Sequence, residues 1–155
     1  MKTRISLFFI LSCITLFSAC RNTDDSSIPD VPVYLNLNLS INYNTFKAPL
    51  QYEYFTEKDE ASGVYNTGYA GVLVNINMDS RYCAFDMCCP HEKQKDVRVY
   101  PDKSGGWATC EKCGSQFDLV YGYGQVSKGP AKEGLKRYKA NPWNNAGIQM
   151  LRVTQ

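Results

Sequence analysis

Two short runs hold the residues best equipped for chemistry: Cys89-Pro90-His91 and Cys110-Glu111-Lys112-Cys113, with residues 92–109 between them. Each run offers two soft or borderline metal donors within the reach of one turn. A metal centre needs thiolates and imidazole nitrogens gathered without backbone strain, and tight loops at the tips of neighbouring hairpins meet that need. Four such donors at this spacing are a far more specific signal than a lone CxxC. Three thiolates and one imidazole suit an iron–sulfur centre, and they equally suit a closed tetrahedral zinc site; donor softness does not separate the two. A disulfide or an empty site is the third outcome.

The elements that would position these loops are strands. Val33 to Ile41 alternates, with Val33, Leu35, Leu37, Leu39 and Ile41 on one face and Tyr34, Asn36, Asn38 and Ser40 on the other. Such period-two patterning predicts a strand with one buried face. Tyr43 to Gly68 reads as one strand and a long loop. Val72–Ile76 is a further strand, turning at Asp79-Ser80 into Arg81–Phe85, which delivers Cys89 and His91. Val97–Tyr100 and Trp107–Thr109 form a hairpin around Lys103-Ser104-Gly105-Gly106, and its second strand delivers Cys110 and Cys113. Tyr121-Gly122-Tyr123-Gly124 is read as a tight turn between strands, and Ile148–Val153 closes the sheet. Abundant Tyr and Phe, frequent Gly and Pro, and no long helical period predict an all-β domain.

The residues flanking the donors are more specific. Tyr82-Cys83-Ala84-Phe85-Asp86 leads into the first run; Gly114-Ser115-Gln116-Phe117-Asp118 follows the second; Gly129-Pro130-Ala131 comes later. From about Val72 to Val153 the chain resembles a Rieske domain, whose pattern is C-x-H, a spacer, C-x-x-H-G-[SW]-x-F-D and a Gly-Pro loop. It departs at one ligand, since Cys113 stands where the family has its second His. The resemblance implies stacked antiparallel sheets with a small cluster-binding subdomain, about residues 82–131. It also implies a 2Fe–2S cluster, with Cys89 and Cys110 on one iron and His91 and Cys113 on the other. Ser115 would hydrogen-bond a cluster sulfur, and Gly129-Pro130-Ala131 would cover it. Phe117 carries no hydroxyl where high-potential relatives have Tyr. Thiolate in place of imidazole adds negative charge, which lowers the potential of such a centre.

The leader reads as an address. Lys2 and Arg4 precede an apolar stretch, Ile5 to Phe17, that is short of the ~20 residues needed to span a bilayer. Leu16-Phe17-Ser18-Ala19-Cys20 resembles a bacterial lipobox, which implies a signal peptide over 1–19 and lipidation of Cys20. The polar, proline-broken stretch to Pro32 is expected to be a lipidated tether, residues 20–32, ahead of a β domain over 33–155. The implied location is the cell envelope, on the outer membrane or the periplasmic face. No twin-arginine pair is present, so a chain exported unfolded would meet its cluster in an oxidising compartment.

Of 17 basic residues, Lys2 and Arg4 fall in the leader, leaving 15 against 15 acidic ones. A near-neutral domain has no nucleic-acid footprint. With His91 the only imidazole, no mononuclear His-carboxylate iron site can be assembled, which excludes an oxygenase subunit. A thioredoxin-like role for Cys110 and Cys113 lacks the βαβ setting it needs. Cys83 and Cys88 are expected to pack in the core, Trp107 and Trp143 likewise, and Lys128, Lys132, Lys136, Arg137 and Lys139 to form a solvated face. The combined reading is a lipid-anchored electron carrier with an unassigned redox protein partner and no substrate chemistry. Its rival is a zinc-stabilised or metal-free binding module on the same fold.

Overall fold

A computed structural model describes residues 26–43, 46–59 and 65–155. Every regular element among them is a strand: β1 (Val33–Asn38), β2 (Tyr52–Phe55), β3 (Tyr65–Thr67), β4 (Val72–Ile76), β5 (Tyr82–Asp86), β6 (Val99–Pro101), β7 (Trp107–Cys110), β8 (Gln116–Asp118), β9 (Val126–Lys128), β10 (Arg137–Asn145) and β11 (Ile148–Thr154). They build a seven-stranded sheet, β2-β4-β5-β10-β11-β1-β3, and a four-stranded sheet, β6-β7-β8-β9. All the pairings are antiparallel.

The β4–β5 hairpin joins the two halves. All five β4 residues are buried, because both faces of this strand are covered. Val72, Val74 and Ile76 enter the main core with Leu35, Leu37 and Val153. Leu73, together with Phe85 from β5, enters a second core with Met87, Val99, Ala108 and Phe117. Each such side chain contributes about 1.5–3 kcal/mol when fully buried, so one hairpin cements the large sheet to the small one. Asn75 also lies wholly inside β4; its amide donates to the Leu119 carbonyl (3.0 Å), while Asn77 donates to that of Tyr121 (3.2 Å). These bonds peg the β8–β9 turn to the large sheet.

The alternation from Val33 stops before Ile41. The Asn38 side-chain oxygen accepts the amides of Ser40 and Ile41, both at 3.1 Å, and the Asx turn ends the strand. Ile41 is consequently 70% exposed. The described residues of the segment from Tyr43 to Gly68 carry two strands, β2 and β3. β10 has no counterpart in the sequence reading, because Asn141-Pro142-Trp143-Asn144-Asn145 lacks an apolar period; it is held by seven register partners in β11.

The expected tether also needs correction at its C-terminal end. Residues 26–32 dock on the domain, with Ile28 only 2% exposed against Ala70, Cys88 and Tyr69. The Ser27 amide and hydroxyl both donate to Glu133 (3.1 and 2.5 Å). Lys136 is buried, not solvated: its ammonium donates to the Ile28 and Pro29 carbonyls and to Asp30 (3.4, 2.9 and 2.6 Å). A short polar segment is ordered here by one apolar side chain and a desolvated cation that finds three oxygens. Cys20 and the leader lie outside the described residues. Among the described residues no helix is long and apolar enough to cross a membrane.

Candidate metal centre

Two loops of the same construction meet at the open end of the small sheet. In the first, the chain leaves β5 at Asp86 and buries Met87, Cys88, Cys89 and Pro90. The Lys93 amide closes a turn onto the Cys89 carbonyl at 2.8 Å. In the second, the Gly114 amide closes onto the Cys110 carbonyl, also at 2.8 Å. Both closing residues are left-handed, Lys93 at φ 56° and Gly114 at φ 74°. Glycine adopts this freely, whereas lysine does so at a cost.

Asp86 anchors the first loop from behind. Its carboxylate is fully buried and accepts the Cys88 amide (2.7 Å), the Tyr69 and Ala70 amides (3.0 and 3.4 Å) and the Tyr138 hydroxyl (2.6 Å). Burial, followed by the Asp86 charge, raises the Tyr138 phenol and keeps it protonated as a donor. Nothing in the local sequence marks this role except a carboxylate where the pattern otherwise turns apolar.

The turns bring three of the four expected donors together. The sulfurs of Cys89, Cys110 and Cys113 all lie within 4.8 Å of one another, and Cys89 and Cys113 are 3.6 Å apart. All three are free thiols, since a disulfide requires ~2.05 Å between sulfurs. Cys89 and Cys110 are wholly buried, and Cys113 is half-exposed. His91 is exposed and stands outside this group. Cys88 is buried too, but its thiol donates to the carbonyls of Cys89 and Gln94 (3.7 and 3.4 Å) and takes no part in the sulfur group.

The surroundings treat the thiols differently. Burial pushes the Cys89 thiol up to about 12 although the Glu92 and His91 amides point at its sulfur. Burial raises Cys113, but the Ser115 hydroxyl and amide, together with the neighbouring Cys89 and Cys110 thiols, hold it below its ordinary value. Ser115 is the hinge pin of the site. Its hydroxyl accepts the Cys113 thiol and the Ala131 amide, each at 3.1 Å. The Gly129-Pro130-Ala131 loop therefore closes over Ser115, with Gly129 (φ 97°) so near that a Cβ there would meet the Ser115 Cα at 2.5 Å. Ala131 is buried in the second core while Gly129 and Pro130 face solvent. Two ion pairs between an exposed lysine and a half-buried glutamate tie the rim: Lys112 to Glu92 (2.8 Å) and Lys93 to Glu133 (3.5 Å).

Of the remaining expectations, Phe117 is core. Trp107 and Trp143 are partly exposed (37% and 36%), the latter beneath the Arg152 guanidinium. Cys83 is half-buried against the second core.

The sequence model of the Rieske [2Fe-2S] domain matches residues 49–139. The chain belongs to this family. The match opens before β2, earlier than the resemblance from Val72, and ends inside β10, short of Val153. No curated protein matches the chain. The residues present fit the Rieske group in their chemistry: three thiols converge, backbone amides and a serine hydroxyl face their sulfurs, and an imidazole follows Cys89 by two residues. Such amide and hydroxyl contacts orient and tune metal-bound thiolates.

Proposed function

We propose that this Rieske protein is an electron carrier of the cell envelope, lipid-anchored at Cys20, in which Cys89, His91, Cys110 and Cys113 hold a 2Fe–2S cluster. The convergence of three thiols in a Rieske domain is the observation that carries this reading. A bound cluster supplies one-electron chemistry. The chain itself contributes burial of Cys89 and Cys110, a hydroxyl at Ser115 and a cover at Gly129-Pro130-Ala131 that limits water. Cys113 adds a negative charge where an imidazole would add none, and His91 alone is left to link electron to proton transfer. The partner is a redox protein able to approach the exposed His91 loop, and substrate chemistry lies outside this chain.

Protein purified without oxygen is expected to show visible absorption bleached by dithionite, with iron and sulfide in equal amounts. Its midpoint potential should fall below the roughly −150 to +300 mV of two-imidazole centres. Colourless protein that stays colourless after iron and sulfide are supplied would overturn the proposal.

A further inference from the structure

We infer that Cys89, Cys110 and Cys113 form by themselves a three-sulfur site for one soft tetrahedral cation of the zinc(II) class, without His91, whose fourth position opens to solvent. This goes beyond the electron-carrier reading and does not require it.

The spacing is the first argument. Zinc–sulfur bonds of ~2.3 Å at tetrahedral angles hold two sulfurs ~3.8 Å apart. The Cys89 and Cys113 sulfurs are 3.6 Å apart, and Cys110 lies within 4.8 Å of both. One ion can therefore touch all three after small side-chain adjustments. The observed pair therefore has a spacing that one ion can bridge.

The position of His91 is the second. It is exposed and lies outside the sulfur group, so a single cation is complete in protein ligands without it. The third argument is the setting of the sulfurs. Glu92 and His91 amides face Cys89, and the Ser115 amide and hydroxyl face Cys113. Together they offset part of the negative charge that three thiolates carry around a divalent ion. The site is floored by buried Val99, Ala108, Phe117 and Leu119, while Gly114 is exposed and Cys113 half-exposed, so the open coordination position faces outward. Binding displaces thiol protons to solvent and involves no change of oxidation state.

The test uses the full chain, reduced and stripped of metal, titrated with cobalt(II) and then zinc(II). One ion per chain is expected, with sulfur-to-cobalt charge transfer of three thiolates and zinc-edge X-ray absorption showing sulfur neighbours without imidazole. His91→Ala should change zinc affinity by about threefold or less, and Cys113→Ser should weaken it by about 100-fold or more. Imidazole scattering in the unmodified protein, two ions per chain, or equal losses for the two variants would each overturn the inference. The X-ray measurement needs no variant, so a misfolded Cys113→Ser protein leaves the result decided. Loading with iron and sulfide forms a separate arm; failure there with zinc bound counts against the electron carrier alone.

Discussion

The two loops of the metal centre differ in one offset. Cys110 ends β7 and Cys89 lies shortly after β5, and in both loops the cysteine carbonyl is closed by an amide four residues later in left-handed conformation. In the second loop the next donor is three residues on, and Cys113 turns into the centre. In the first it is two residues on, and His91 is exposed and outside the sulfur group. The loops also rest on different supports. Asp86 and Ile28 back the first, whereas Ser115 and the Gly129-Pro130-Ala131 loop close the second. A shared turn fixes where the first sulfur lies; the second donor joins the sulfur group in the loop where it follows by three residues.

Removing the sulfur at the root of the second loop should have the largest effect. Cys110→Ala takes away a wholly buried donor, and metal affinity should fall by about 100-fold or more while near-ultraviolet circular dichroism persists. Retained affinity would mean that the loops do not work as a pair. Ser115→Ala removes a hydroxyl that only the second loop possesses. It leaves the buried Ala131 amide unpaired, costing about 1–3 kcal/mol in denaturant unfolding.

The closing residues give a smaller, opposed pair. Gly114→Ala meets no atom within 4 Å, so its loss of about 1 kcal/mol is purely conformational. Lys93→Gly should gain about 0.5 kcal/mol at most, as left-handed strain is relieved and the Glu133 ion pair is lost. Equal signs in thermal melts would break the equivalence of the turns.

The smallest effect is acidic release of the segment behind the first loop. Burial raises the Glu133 carboxyl, but the Ser27 hydroxyl and amide, aided by Lys93, hold it below its ordinary 4.5. Its folded value is depressed, so the attachment is intact above that ordinary value and is lost as pH falls through the lowered one. The protection factor of the Ser27 amide, exchange corrected for its intrinsic pH dependence, should drop in that window and be retained at neutral pH.

Much of this was legible in the residues. Cysteine spacing located both turns, and the apolar run Val72–Ile76 located the strand that unites the halves, because local pattern and tertiary burial agree there. Ile41 was misplaced because an Asn side chain competes with strand hydrogen bonding, which hydrophobic alternation does not register. β10 has no local signature because, beyond Tyr138 and Ala140, its order comes from backbone partners in β11 and β5. The roles of Asp86, Glu133 and Lys136 depend on contacts made far along the chain, which no local pattern can encode. His91 shows the remaining limit: donor type and spacing nominate four ligands, but among the described residues only the three sulfurs are drawn within 4.8 Å of one another.

The docked segment has a mechanical consequence. Because Ile28 sits on Cys88 and Ser27 on Glu133, the N-terminal chain is moored at the thiol end of the domain, not at the far hairpin of β10 and β11. Between Cys20 and Ser26 an extended backbone spans at most roughly 20 Å. A lipid at Cys20 would keep the domain on a short leash, and any tension on that leash would reach the walls of the metal centre before it reached the main core.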